Sequence, residues 1–265
     1  MKRKGNGAWT ALLVVVAVAF AATQAAATPA VNSVVFHLNI WEDCLTHTVS
    51  TVNNYPSQVC INDDWTCTSG YADLHNWHLS DDGVAGAVFN NGDGFRLKAE
   101  LVISGTGNAE AGLMVAPWWA QNTDGRFNVR TTDGEIACFG GRLPFYSFTV
   151  NHGISYVKGD AIILEVIYLP NGLSVTNPAT ITYNLTYNSV DYTSGPIAFD
   201  EGNPAEPYGT WGMLDNARVG GYVQELLGGA VGQVLTTWCS FEFEDLGGPT
   251  ATEATSWGDV KTLFR

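Results

Sequence analysis

Apolar and polar residues alternate with a period of two along most of the chain. Residues 95–103 show this most clearly, because Arg96, Lys98 and Glu100 separate apolar neighbours. A strand with one buried and one solvated face gives this pattern. The alternation recurs at residues 34–40, 162–168, 181–187 and 235–243. In the last segment it predicts a buried face made of Leu235, Thr237, Cys239, Phe241 and Phe243.

Short turn signals rich in glycine, asparagine and aspartate separate these segments, and convincing long helical patterns are absent. Residues 127–139 predict the clearest hairpin, with its turn at Asp133 and Gly134. Strands joined by tight turns, without crossover helices, pair antiparallel, and this many strands must form two packed sheets. We therefore predict an all-β fold, an antiparallel two-sheet sandwich.

The first 27 residues have the layout of a secretory signal peptide. A basic start at residues 2–4 precedes an apolar run at residues 11–20 and an Ala-x-Ala cleavage site at residues 25–27. That run is too short to span a bilayer, and no later stretch is long enough. We therefore predict a secreted protein, extracellular or at the cell surface, with no membrane span.

Two further segments follow the predicted signal peptide. Residues 28–246 are predicted to form the β-sandwich domain, and residues 247–265 a linker with a short C-terminal tail. In that tail Trp257, Val260 and Phe264 have helical spacing. Two interpretations stay open, namely a sorting or anchoring tag and a frayed helix that packs on the sandwich.

The charge of the chain excludes two classes of partner. There are 12 Lys and Arg residues against 26 Asp and Glu residues, and removal of the leader leaves 9 against 26, or about −17. Such an acidic surface repels nucleic acid and anionic lipid. It also permits Ca²⁺ binding outside the cell without proving it.

Five cysteines in an exported chain leave at least one that is not paired within the chain. We predict a bridge between Cys44 and Cys67 with Cys60 left over, because the first two bracket a loop that closes easily. Cys138 and Cys239 lie in alternating apolar segments. They are either small buried core residues or the two halves of a second bridge.

Residues 118–126 carry the strongest binding signal. Trp118 and Trp119 are adjacent, so in an extended chain at most one of them faces the core. An exposed indole stacks on the apolar face of a sugar ring, and polar neighbours then bind its hydroxyl groups. The alternative is that both indoles fill a large core. The predicted ligand-binding residues are Trp118, Trp119, Gln121, Asn122, Asp124, Arg126 and Tyr146.

Three segments together resemble the concanavalin A-like lectin/glucanase superfamily, which includes laminin G-like modules, and indicate a secreted bacterial member. They are the strand pair at residues 111–115 and 126–129, the turn at residues 156–160 leading into residues 162–166, and residues 214–219 with the pattern Asp-x-x-Arg-Val. The resemblance implies a jelly-roll sandwich with a concave face that often binds glycans. It also implies that Asp215 holds a structural Ca²⁺, or accepts hydrogen bonds that fix the last strands.

The glucanases of that superfamily carry Glu-x-Asp-x-x-Glu on one strand, and this chain lacks the motif. Its nearest approach is Glu242 and Glu244, which share a face but have no third acid. His75 and His78 are three residues apart in an extended context, so we predict no zinc site from them.

The predicted function is therefore non-catalytic, lectin-like binding of a glycan or a glycan-bearing surface. Two alternatives remain. One is a glycoside hydrolase or lyase with atypical acid residues, and the other is a structural or adhesive module of the cell surface.

Overall fold

Strands dominate the architecture of the protein. The computed structural model describes residues 28–39, 48–66, 73–117, 125–202, 211–225 and 231–248. The strands are β1 Ser33–Asn39, β2 Thr48–Asn54, β3 Gln58–Trp65, β4 Leu74–Ser80, β5 Gly94–Ser104, β6 Ala109–Pro117, β7 Gly125–Arg130, β8 Ile136–Gly140, β9 Leu143–Ser147, β10 Ala161–Leu169, β11 Thr180–Tyr187, β12 Val190–Ala198, β13 Ala217–Glu225 and β14 Gly232–Gly247. The helix among the described residues is α1, Phe148–His152.

These strands form two seven-stranded sheets. The first sheet has the order β1-β4-β13-β6-β7-β8-β9, and the second has the order β12-β11-β10-β5-β14-β3-β2. Every neighbouring pair is antiparallel. The predicted antiparallel two-sheet sandwich is confirmed.

Large aromatic side chains fill the space between the two sheets. Trp77 from the first sheet meets Trp238 and Phe241 from the second, edge to face, at centroid distances of 5.7 and 5.2 Å. The buried indole of Trp238 donates a hydrogen bond from Nε1 to the backbone oxygen of Gly112 at 3.3 Å. Each such side chain contributes about 2–3 kcal/mol through burial, so the core holds the two sheets together.

The observed burial confirms the predicted alternation in the central strands of the second sheet. Along β5 the residues Phe95, Leu97, Ala99, Leu101 and Ile103 are fully buried, whereas their neighbours in sequence face outward. β10 and β11 alternate in the same way. The predicted hairpin is also present, because β7 pairs with β8 around Asn128 and Ala137.

The predicted inner face of β14 is wrong in its first half. Val234 and Trp238 are buried there, whereas Leu235 lies on the outer face. A β-bulge explains the difference, because Ser240 has a positive φ of 54° and the pairing with β5 shifts between Cys239 and Glu242. The extra residue turns the strand over, so Phe241 is buried although it lies an odd number of residues beyond Trp238.

Three cysteines lie within the described residues, and all three are free thiols. Cys138 is buried in the core of the first sheet, and Cys239 lies on β14 of the second, so the alternative of a second bridge is not observed. Cys44 and Cys67, the predicted pair, lie outside the described residues. The described part of the chain also contains no helix long and apolar enough to cross a membrane.

Candidate functional site

The outer face of the first sheet carries a row of polar side chains that are cross-strand neighbours. His37 of β1 pairs with Asn76 of β4, Asn76 with Tyr222 of β13, Tyr222 with Gly112 of β6, and Gly112 with Asn128 of β7. These five residues are called the outer-face row. They point away from the core because their strand neighbours, such as Trp77 and Val223, are the residues that pack inside.

A second row runs beside the first, one pleat along the strands. It consists of Val35, His78, Gly220, Met114 and Arg126, each paired across the sheet with the next. Arg126 and His78, which belong to this second row, therefore lie next to the outer-face row, although they come from strands far apart in sequence.

Gly112 lets two members of the outer-face row meet across an intervening strand. Tyr222 donates a hydrogen bond from its hydroxyl to Oδ1 of Asn128 at 2.6 Å, over the position where Gly112 has no side chain. A Cβ atom on Gly112 would lie 1.7 Å from the backbone oxygen of Phe127. Only glycine therefore fits between Tyr222 and Asn128 at this strand spacing.

Arg126 connects the two rows electrostatically. Its guanidinium carbon lies 4.4 Å from the centre of the Tyr222 ring, and Nη1 lies 3.8 Å from Oε1 of Glu110. Burial raises the pKa of Glu110, and the nearby charge of Arg126 partly opposes that shift. Burial also raises the pKa of Tyr222, so its hydroxyl stays protonated and acts as a hydrogen-bond donor.

Several buried polar atoms on this face have no hydrogen-bond partner in the described part of the chain. They are Nδ2 and Oδ1 of Asn76, Nε of Arg126 and Nε2 of His78. A buried polar atom without a partner costs about 1–3 kcal/mol. Such atoms are uncommon in folded proteins, and a buried water or a polar ligand would supply the missing partners.

A groove of about 260 Å³ opens at the edge of this face, where β1 pairs with β4. It is lined by Val35, His37, His78, Val84, Gly86 and Arg218. Burial, and to a smaller extent the nearby positive charges of His37 and Arg218, lowers the pKa of His78 to about 4. The imidazole of His78 is therefore neutral near pH 7 and offers one donor and one acceptor nitrogen.

The structure places only part of the predicted binding segment. Trp118, Trp119, Gln121, Asn122 and Asp124 lie outside the described residues. Arg126 lies on the outer face of the first sheet, in the second row.

Tyr146 is not brought together with Arg126. Its ring packs edge to face on the core residue Phe148 at 5.0 Å, and its hydroxyl donates to the backbone oxygen of Thr193 at 3.3 Å. Tyr146 therefore belongs to the edge where β9 approaches β12, away from the outer-face row.

Asp215, the predicted calcium ligand, lies two residues before β13. Its Oδ1 accepts a hydrogen bond from the backbone nitrogen of Asn91 at 2.9 Å, which connects the start of β13 to the turn before β5. Within the described ranges, no group of three His, Cys, Asp or Glu ligand atoms includes Asp215. A Ca²⁺ ion bound by Asp215 therefore stays a prediction.

Replacing Asp215 tests both roles. We expect Asp215→Asn to lower the free energy of unfolding by about 1 kcal/mol in chelator, because a charged acceptor of a backbone hydrogen bond becomes neutral. Thermal melts in chelator and in millimolar Ca²⁺ measure this. A rise in melting temperature with Ca²⁺ that the variant abolishes would establish the calcium role, and an unchanged temperature would eliminate it.

The carboxylate pair on β14 has the electrostatics of a solvated ion-pair network. Glu242 contacts Lys98 Nζ at 2.9 Å and Arg96 Nη2 at 3.0 Å, and Glu244 lies 3.5 Å from Arg96. These hydrogen bonds, that of Lys98 first, lower the pKa of Glu242. A general acid for glycoside cleavage needs a raised pKa, so Glu242 is unsuited to that role.

A separate cluster of ionisable side chains lies between the two sheets. Asp63 of β3, Asp73 just before β4, His75 of β4 and Glu225 at the end of β13 are all fully buried. One ligand atom of each lies within 4.8 Å of those of the others, and His75 Nε2 lies 2.8 Å from Asp63 Oδ2. These four residues are called the core acid cluster. The sequence analysis did not predict this cluster, because its four residues lie in three separate segments. The available signal was the alternation of apolar and polar residues, which places Asp63 and His75 on inner faces.

No protein-family model matches the chain, and no curated protein matches it significantly. Among solved structures, it is similar to the family 7 alginate lyase A1-II′ in complex with substrate, with 10% identity over 81% of this chain and 94% of that one, at a TM-score of 0.45. It is also similar to lectin II from Ulex europaeus, with 8% identity over 81% of this chain and 100% of that one, at a TM-score of 0.39.

An alginate lyase from Alteromonas sp. 272 gives 9% identity over 80% of this chain and 95% of that one, at a TM-score of 0.38. All three scores are below 0.5. The fold is therefore taken from the two sheets themselves, and the function from the chemistry of the site.

Proposed function

We propose that this protein is a secreted module that binds a glycan through the outer face of its first sheet, without cleaving it. The observation that carries the proposal is the set of buried polar atoms on Asn76, His78 and Arg126 that have no hydrogen-bond partner. A sugar carries several hydroxyl groups, each able to donate and to accept, and can satisfy such a set at once.

The donor and acceptor types on this face suit a hydroxylated or acidic sugar. The amide of Asn76 offers a donor and an acceptor side by side, and Arg126 offers a charged donor that suits a carboxylate. The groove beside His37 and His78 leaves one edge of this face open to a ligand. From the sequence, one indole of Trp118 and Trp119 would add stacking area, with Gln121, Asn122 and Asp124 as further polar contacts.

Burial of Tyr222 makes it unsuited to act as a general base. A tyrosine that abstracts a proton needs a lowered pKa, whereas burial raises that of Tyr222. Its hydroxyl is already engaged by Asn128 at 2.6 Å, in a contact that positions both side chains.

One observation favours a glycan-cleaving enzyme as the second candidate. Glu110 is a carboxyl group beside Arg126 with a pKa raised by burial, and such groups serve as general acids. Release of new reducing ends from a polysaccharide panel would establish the enzyme, and its absence under conditions where the protein binds glycan would support the module.

Asn76→Leu is the sharpest test of the proposed site. Neither amide atom of Asn76 has a hydrogen-bond partner, and leucine has a similar volume without polar atoms. We therefore expect the free energy of unfolding to be unchanged or slightly higher. Glycan affinity, by contrast, should fall by about 2 kcal/mol, or roughly 30-fold. A glycan array identifies the ligand, and titration calorimetry with thermal melts measures both quantities.

Asn184→Leu is the control on the other sheet, where Asn184 is a mid-strand amide on the outer face whose Nδ2 donates a hydrogen bond to Glu165 Oε2 at 2.6 Å. Because this replacement removes a hydrogen bond, its stability is measured alongside its affinity. We expect it to leave glycan affinity unchanged. Equal affinities for Asn76→Leu and the parent protein would refute the site. A protein that binds no glycan on the array but adheres to protein surfaces would instead support the adhesive alternative.

A further inference from the structure

The core acid cluster joins the two sheets at one end of the sandwich. Asp63 comes from β3 of the second sheet, whereas Asp73, His75 and Glu225 come from the end of the first sheet where β4 begins and β13 finishes. β4 and β13 are paired there through His75 and Val223, so the cluster stands on adjacent strands. Rigid strands, rather than a loose surface loop, therefore hold most of its side chains in place.

Glu225 is the member whose situation most needs an explanation. It is fully buried, and neither of its side-chain oxygens accepts a hydrogen bond. Burial, followed by the nearby charge of Asp63, raises the pKa of Glu225 well above its usual range. Glu225, the carboxyl groups of Asp63 and Asp73 and the imidazole of His75 offer ligand atoms within 4.8 Å of one another, and such a buried set suits a cation.

We propose that Asp63, Asp73, His75 and Glu225 bind one divalent transition-metal ion, of the Zn²⁺ or Mn²⁺ type, inside the sandwich. One ligand atom from each of the four lies within 4.8 Å of the rest. A small inward movement of the side chains would bring them within the roughly 4.2 Å that separates two ligands on opposite sides of one ion. The positive charge of the cation would offset the negative charge of the buried carboxylates.

The donor atoms select the class of ion. An imidazole nitrogen with carboxylate oxygens suits Zn²⁺, Mn²⁺ and Fe²⁺, whereas Ca²⁺ and Mg²⁺ prefer oxygen ligands alone. Two ligands each about 2.05 Å from an ion are about 2.9 Å apart at right angles and about 3.3 Å apart at the tetrahedral angle that zinc prefers. His75 Nε2 and Asp63 Oδ2 already stand 2.8 Å apart, so they need little movement to share an ion.

Such an ion would act as a cross-link between the sheets. Its ligands come from both layers, so binding stabilises the folded chain only when the layers are assembled. The site is separate from Asp215, which is not among its ligands, and it lies on the opposite side of the first sheet from the outer-face row. The proposal is therefore independent of glycan binding.

The experiment uses the full mature chain, stripped with chelator and dialysed. We expect about one equivalent of Zn²⁺ or Mn²⁺ to rebind, measured by elemental analysis after gel filtration. At about 100-fold excess over the dissociation constant, the melting temperature should rise by about 5–10 °C, and chelator should reverse the rise. Millimolar Ca²⁺ should not reproduce the effect in the Asp215→Asn background.

Glu225→Gln keeps the shape of the side chain and removes its charge, so we expect transition-metal affinity to fall by at least about tenfold. The matched control is Glu242→Gln on the outer face of the second sheet, which should bind metal like the parent. If Glu225→Gln does not fold, the absorption spectrum of Co²⁺ bound to the unmodified chain decides between a site with a nitrogen ligand and none.

Three results would overturn the proposal. The first is that the unmodified chain binds no transition metal and melts at the same temperature with and without it. The second is that Glu225→Gln binds metal as tightly as the parent. The third is that Glu242→Gln loses metal to the same extent as Glu225→Gln.

Discussion

Gly112→Ala should unfold most of the protein or prevent its accumulation. A Cβ atom on residue 112 would lie 1.7 Å from the backbone oxygen of Phe127 and 2.9 Å from its carbonyl carbon. The neighbour is backbone, so no side chain can move aside, and β6 and β7 must separate in the middle of the first sheet. The hydrogen bond from Trp238 to the oxygen of Gly112 would be disturbed as well. We expect a loss of more than about 4 kcal/mol in the free energy of unfolding, measured by urea denaturation.

Gly248→Ala is the control for the loss of glycine flexibility alone. The nearest atom to a Cβ there is the oxygen of Gly92 at 3.5 Å, which is ordinary contact. Its unfolding free energy should stay within about 0.5 kcal/mol of the parent. If Gly112→Ala folds with the stability of the parent, the spacing between β6 and β7 must be wider than in this structure. The hydrogen bond between Tyr222 and Asn128 would then also differ from the one observed.

Acidification should destabilise the protein through His78. The folded pKa of about 4 is lower than the unfolded value near 6.5, so the unfolded chain takes up a proton first as the pH falls. The stabilisation is fully present above pH 6.5 and is lost between pH 6.5 and 4. A difference of that size corresponds to about 3 kcal/mol. Denaturant unfolding at pH 7 and pH 4 measures the loss.

His78→Asn isolates this contribution from that of the other titrating groups. The buried carboxyls Glu110 and Glu225 have raised pKa values, so they act in the opposite direction and gain stability as the pH falls. They are present in both proteins and cancel in the comparison. The variant should therefore lose about 3 kcal/mol less than the parent between pH 7 and pH 4. An identical loss in both proteins would show that His78 ionises normally in the fold.

The fold was predictable from sequence because its signals are local. In β5 and β10 each residue is either clearly apolar or clearly polar, and antiparallel strands between short turns leave few arrangements. The bulge in β14 was not predictable in this way. Both possible faces of residues 234–239 contain apolar side chains, and serine is not a residue type that signals the positive φ found at Ser240.

The candidate site was predictable only in part because it depends on strand order. Asn76, Tyr222 and Asn128 belong to three strands that the chain visits far apart, and only the order β4-β13-β6-β7 places them in one row. Arg126 was identified because aromatic and polar residues precede it in sequence. Nothing in the residues around Tyr222 separates it from the core tyrosines, such as Tyr183, that also lie in alternating strands.

The bulge at Ser240 also determines how β14 can change in length. Before the bulge every second residue up to Trp238 faces the core, and after it the buried position is that of Phe241. The extra residue between them shifts the alternation by one position. Loss of a single residue on either side of the bulge would turn one of these aromatic side chains toward water, whereas loss of two residues would preserve the register. Insertions and deletions within this central strand are thus tolerated only in pairs, which makes its length a constraint comparable to the identity of its core residues.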